Sequence, residues 1–170
     1  MSSIHRRISM IKNILIIFGG RSAEHEVSVR SARNVMDALD KKLYHPVPVV
    51  ISRSGVWYLL HEGNIPSNMT HVDGDTSYGE VCTLMRQNGE TVVFTANGKK
   101  VRLDAAFPVI HGPMGEDGTL QGMFEITMLP YVGSGVLSSA MGMDKDIMKT
   151  IFRNEDIPFV PYVTLKNKTN

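Results

Sequence analysis

Two stretches of the same build constrain this chain more than anything else in it. One is FGGRSAEHEVS, residues 18–28; the other is HGPMGEDGTLQG, residues 111–122. Each follows a short apolar run, Ile14–Phe18 or Ala105–Ile110, and each precedes an amphipathic one. The order is strand, glycine-broken turn, helix. Gly112, Gly115 and Gly118 let the second turn adopt positive φ and bring backbone close to a ligand. Ionisable side chains stand among the glycines: Glu24, His25 and Glu26 in the first turn, His111, Glu116 and Asp117 in the second. A turn that only connects rarely needs them. In a parallel sheet covered by helices, ligands bind beyond the carboxyl ends of the strands. We therefore expect the two turns to lie side by side, with Glu24, His111 and Glu116 converging on one crevice. Carboxylates suit an ammonium group, while an imidazole and helix N-termini suit an anion. An amino acid zwitterion is the simplest small molecule with both needs.

The rest of the chain reads as an α/β domain around these turns. Residues 12–18 are apolar without alternation, which predicts a strand buried on both faces. Gly19-Gly20 break it, and Ser22 can cap a helix, with Glu26 near the position of a capping-box partner. Ala32, Val35, Met36 and Leu39 form its apolar stripe. A second buried strand at Val47–Ile51 completes β-α-β, hence a parallel pair with a right-handed crossover. Ser54-Gly55 turns the chain back into an antiparallel strand, Val56–Leu60. Residues 61–80 are polar and are expected to be irregular. Asn97-Gly98, between Thr91–Thr95 and Lys100–Leu103, predicts a hairpin. Residues 56–103 thus read as a β-hairpin insertion. Beyond the second turn we expect a helix over Thr119–Met128 and a short strand at Tyr131-Val132. Asp144 should cap a helix over Lys145–Asn154, before an extended Phe159–Leu165 and a polar tail.

Composition excludes several classes. With 18 basic and 17 acidic residues in 170, the net charge of +1 gives no global field for nucleic acid or anionic lipid. The single cysteine, Cys82, excludes an intramolecular disulfide and fits a reducing compartment. The run at 14–18 is too short for a signal-peptide core or a membrane span. Residues 1–11 are read as a leader and the protein as cytoplasmic. GGRSAE matches neither G-x-G-x-x-G nor G-x-x-x-x-G-K-[ST], which argues against a Rossmann cofactor. His25, between two glutamates and with no second His or Cys at a ligand spacing, is expected to be solvated rather than to bind metal.

Three segments together carry a family resemblance. FGGRSAEHEVSVRSA (18–32), HGPMGEDGTLQG (111–122) and YVGSGVLSSAMGMDKDIMK (131–149) resemble the successive N-terminal motifs of the D-alanine–D-alanine ligase family of ATP-grasp enzymes. The insertion at 56–103 resembles that of the larger bacterial subgroup. The resemblance implies a three-layer, Rossmann-like (pre-ATP-grasp) parallel sheet over residues 12–130 as the substrate-binding domain. Residues 131–170 would begin the ATP-grasp central domain. It implies that Glu24 holds the ammonium of the first D-alanine, that Val27 forms an apolar wall, and that His111 stands beside the substrate carboxylate. Glu116 would support His111 from the same turn, and Lys145 would contact ATP phosphates; Glu24 and His111 are the implied catalytic residues.

The implied reaction is ATP-dependent ligation of two D-alanines through an acyl phosphate, for peptidoglycan synthesis. The cofactors would be ATP and Mg²⁺ (or Mn²⁺), with no metal ligand expected in this chain. The implied partners are D-alanine and a second copy in a homodimer, with neither nucleic acid nor membrane. Family members have three domains and this sequence stops early in the second, so these residues alone are expected not to make dipeptide. The 145–154 helix is expected to dock on the N-terminal domain or to mediate self-association through its apolar face. Two alternatives stay open: a related ligase taking D-lactate or D-serine second, and a non-catalytic amino-acid-binding module.

Overall fold

A computed structural model describes residues 11–74 and 76–165. The leader, apart from Ile11, and the 166–170 tail lie outside the described residues. The fold grows from strand β1 (Lys12–Gly19), whose side chains alternate between two cores. Leu15 and Ile17 enter one; Ile16 and Phe18 enter the other. An apolar run without polar alternation needs a helix on each face. Helix α1 (His25–Ala38) covers one face with Val29, Ala32 and Met36. Helix α2 (Thr119–Thr127) covers the other with Leu120 and Phe124. The expected three layers are present.

The sheet has seven strands in the order β6-β5-β4-β3-β2-β1-β7. Strands β2 (Tyr44–Ile51) and β7 (Ala105–Pro108) flank β1, and both run parallel to it. Strands β3 (Trp57–Leu60), β4 (Gly79–Gln87), β5 (Glu90–Thr95) and β6 (Lys100–Leu103) continue the sheet antiparallel. The insertion at 56–103 is therefore an extension of the same sheet.

Several local expectations change. Helix α1 starts at His25, and Ser22 Oγ accepts the Glu24 N–H one turn early instead of capping it. Glu26 turns away to pair with Arg53 at 3.1 Å. Strand β4 begins at the end of the stretch read as irregular, in which two short 3₁₀ turns, His61–Gly63 and Thr76–Tyr78, also form. Asn88 and Gly89, at φ 52° and 81°, make the tight β4–β5 turn. Tyr131 makes only a parallel bridge to Ala106. Ahead of Asp144 stands a further helix that the sequence reading did not include, α3 (Val136–Met143). Helix α4 (Lys145–Asn154) matches its expected span, and Asp144 accepts the Asp146 and Ile147 N–H groups as its cap. It packs on α3 rather than on the sheet, and none of its residues is buried. Among the described residues, no helix is long and apolar enough to cross a membrane. Burial pushes the Cys82 thiol up to about 12, so it is an inert core residue.

Candidate functional site

Because β1 and β7 are parallel neighbours, the chain leaves both at the same edge. One hydroxyl ties the two exits together: buried Ser28 accepts the Gly19 N–H at 2.7 Å and donates to Val109 O at 2.5 Å. The turns then touch. A Cβ placed on Gly112, at φ 77°, would stand 3.4 Å from Glu24 Oε2 and from Ser22 Cβ. Gly115 is required by space: a Cβ there would lie 2.4 Å from Ile110 Cγ2 and 2.8 Å from Ile110 O.

The second turn is held by its own polar groups. Gly112 N–H donates to Glu116 Oε2 at 2.9 Å, and Glu116 N–H returns to Gly112 O at 3.0 Å. Gln121 Nε2 donates to Gly115 O at 2.9 Å from the first turn of α2. Asp117 accepts from Met114 N–H and from the Thr119 N–H and hydroxyl. Its slight burial works to raise the carboxyl pKa, but the bonds from Thr119 and Met114 outweigh it, and the pKa falls below the ordinary value.

These restraints set where the expected site residues stand. His111 Nδ1 lies 3.7 Å from Glu116 Oε1, and its Nε2 is 3.5 Å from Ser31 Oγ. Glu24, Val27 and Ser31 follow one another at helical spacing along an accessible face of α1, with Val27 exposed. His111, Glu116 and Lys145 line one cleft of about 610 Å³, together with Gln121, Ser138 and Ser139. Lys145 Nζ donates to Gly142 O at 3.1 Å. Glu24 and Val27 do not line this cleft; Glu24 lies against Gly112 of the second turn, and Val27 one turn before Ser31.

His25 is not solvated, contrary to expectation. It is fully buried. Its Nδ1–H donates to Gly20 O at 2.8 Å and its Nε2 accepts the Val72 N–H at 3.1 Å. Burial lowers its pKa below the ordinary histidine value. Ser28, Ser31 and Gln121 escaped the sequence reading, and His25 was placed on the wrong side of the surface. The signal for Ser28 and His25 was present: carried back from Ala32, the apolar stripe of α1 passes through Val29, Ser28 and His25. A polar residue on a buried stripe has to be hydrogen-bonded.

A sequence model described as the D-ala D-ala ligase N-terminus matches residues 13–134, which include both turns. The chain belongs to the D-alanine–D-alanine ligase family. It is 44% identical over 169 residues to a D-alanine–D-alanine ligase of Heliobacterium modesticaldum, covering 94% of this chain and 43% of that protein. The D-alanine–D-alanine ligase of Coxiella burnetii has a similar structure, with a TM-score of 0.82 and 33% identity over 94% of this chain and 46% of the other. The VanG D-Ala:D-Ser ligase of Enterococcus faecalis is similar too, with a TM-score of 0.74 and 34% identity over 86% of this chain and 43% of the other. The chain thus spans under half the length of these relatives.

Proposed function

We propose that this chain carries the amino-acid half of an enzyme that joins two D-alanines at the expense of ATP, for peptidoglycan synthesis. On this reading, residues 12–130 are its substrate-binding domain and residues from 131 onward begin the ATP-grasp central domain. The observation that carries the reading is the cleft lined by His111, Glu116 and Lys145, with Glu24 against Gly112 of the same turn as His111 and Glu116. On this reading Glu24, from the neighbouring first turn, pairs with the ammonium of the first D-alanine, and Val27 walls in its methyl group. His111 hydrogen-bonds the substrate carboxylate, and Glu116, itself held by the Gly112 N–H, keeps the ring in place.

ATP supplies the phosphoryl group that converts the substrate carboxylate into an acyl phosphate. The cleft fits its phosphates: Lys145 provides a cation, Ser134, Ser138 and Ser139 provide hydroxyls, and Gly133 and Gly142 add no bulk. The amine of a second D-alanine then attacks the activated carbonyl carbon, the amide bond forms, phosphate leaves and the amine loses a proton. Among the described residues, no three His, Cys, Asp or Glu side chains gather as they would around a metal ion. We propose that other parts of the enzyme hold the Mg²⁺ or Mn²⁺ of the reaction. We place the enzyme in the cytoplasm, as a homodimer.

The test is an intact enzyme carrying this sequence, assayed for ATP-dependent dipeptide formation. Glu24→Gln should lower kcat/KM for D-alanine at least ~30-fold, because truncating one partner of a charge pair costs about 2–5 kcal/mol. Near wild-type activity would remove Glu24 from the ammonium site. Preference for D-serine as the second substrate would favour the alternative suggested by the VanG likeness. Calorimetry on these 170 residues alone should show weak or no D-alanine binding and no ATP turnover. Saturable binding without ATP would point instead to a non-catalytic module.

A further inference from the structure

We propose that His25 is a positioning residue for the Glu24 carboxylate, clamping the first glycine turn to the Val72 peptide of the inserted segment. The proposal rests on the reading of Glu24 given above. His25 directly follows Glu24 and is the first residue of α1. Its two ring nitrogens do opposite things. The Gly20 carbonyl can only accept, so Nδ1 carries the hydrogen; the Val72 N–H can only donate, so Nε2 carries the lone pair. The imidazole is therefore a neutral bridge of fixed tautomer, with one bond to each segment.

Both ends of the bridge are anchored. On the insertion side, Val72 O accepts the Arg53 N–H at 2.8 Å, and the Arg53 side chain reaches Glu26 at 3.1 Å and Asp73 at 3.6 Å. The Tyr58 hydroxyl donates to Gly74 O at 3.2 Å. On the turn side, Gly20 N–H donates to Ile51 O at 2.8 Å. Between these anchors run Gly19 and Gly20, at φ 87° and 94°, the conformationally freest pair in the turn. The Glu24 carboxylate makes no hydrogen bond or ion pair among the described residues, so nothing on its own side chain fixes it. Its position comes from the backbone, which Ser22 holds at the Glu24 N–H, Ser28 at the Gly19 N–H and His25 at the Gly20 carbonyl; of the three, His25 is the one that ties it to the inserted segment.

Three variants of the intact enzyme dissect the bridge. His25→Ala loses both bonds. His25→Asn can keep a donor toward Gly20 but cannot reach Val72. His25→Gln can offer an oxygen to Val72 but gives up Gly20. We expect the alanine variant to raise the KM for D-alanine about tenfold or more, since small misplacements of a binding group are costly. Its kcat and its KM for ATP should stay within about threefold, and the asparagine and glutamine variants should each recover part of the loss. A lowered melting temperature with an unchanged KM for D-alanine would make His25 merely structural and overturn the proposal. If the alanine variant does not fold, the same KM criterion applies to the other two. An enzyme that uses D-alanine but whose KM ignores His25 defeats this proposal alone. One that does not use D-alanine at all defeats the functional reading, and this proposal with it.

Discussion

Residues 12–132 and residues 133–165 are both mostly regular, but different physics holds them. The first region places every element against a core. Its sheet is buried on two faces, and α1 and α2 each send a stripe of side chains into it. The second region has no buried residue at all. Its order is local. Asp144 caps α4, and Asp146 accepts from the hydroxyls of Tyr162 and Thr164 at 3.1 and 2.7 Å, folding the 155–165 segment back over the helix. Lys149 lies over the Tyr162 ring at 4.3 Å. A cap of this kind contributes about 0.5–2 kcal/mol and an exposed cation–π contact about 0.5–1 kcal/mol, whereas fully burying one large apolar side chain contributes about 1.5–3 kcal/mol, and the first region buries many. The candidate cleft lies where the two regions meet: His111 and Glu116 come from the first, Lys145 from the second.

The contrast is sharpest at Phe124, fully buried and packed against Tyr131 at a ring-centroid distance of 5.2 Å. Phe124→Ala should cost about 3–5 kcal/mol, from lost transfer energy and the cavity left behind. Urea unfolding of the chain would show it. A loss below about 1 kcal/mol would mean that this core does not hold the first region together.

Ser28→Ala is expected next in size. It strands the Gly19 N–H and the Val109 carbonyl in a buried place, at about 2–4 kcal/mol in all. It should also loosen both glycine turns, so D-alanine use by an intact enzyme should fall more than stability alone explains. Equal stability to the parent would show that water or a rearranged backbone takes over both bonds.

How much of this was legible in the sequence follows from where each signal lies. Strand β1, the 97–98 hairpin turn and α4 each carry a local mark: an unbroken apolar run, Asn-Gly, and Asp144 ahead of an amphipathic stretch. Strand β4 was obscured because exposed Val81 sits out of phase with buried Cys82 and Leu84, blurring the alternation. Asn88-Gly89 marked its end, and both residues do adopt positive φ. Helix α3 buries nothing and has Gly135 in place of a side-chain cap, so neither periodicity nor a cap gave it away. The two turns were found because their glycines and charges are contiguous. The contacts that position them, Ser28 to Val109 and His25 to Val72, join residues 81 and 47 positions apart and exist only once the sheet has formed.

A gentler probe of the first region is pH. Burial holds the His25 pKa below the ordinary value of 6.5; the Gly20 carbonyl and Asp73 offset this in part, while Arg53 and His71 add to it. The unfolded chain then binds a proton that the folded chain refuses. The stability from this residue is fully present above about pH 6.5 and is lost as the pH falls from there toward the folded pKa. Urea midpoints taken between pH 7.5 and 5.5 should decline, and the decline should shrink in His25→Gln. An unchanged slope in that variant would assign the acid sensitivity to another group.

The smallest effect is expected in the second region, and it decides whether the contrast is real. Leu137 is 72% exposed and Val163 84%. Leu137→Ala should change stability by no more than about 0.5 kcal/mol, the range for surface positions without a special role. Amide exchange should agree: protons of α4 should exchange through local opening, while those of β1 should wait for global unfolding. If Leu137→Ala instead costs about 2 kcal/mol or more, as truncating a buried leucine does, that face is covered in solution. A concentration-dependent unfolding midpoint would then identify the cover as a second copy of the chain, because stabilisation by association follows mass action. A midpoint that ignores concentration would place the cover within the same molecule, and would extend the core into a region that local contacts alone now account for.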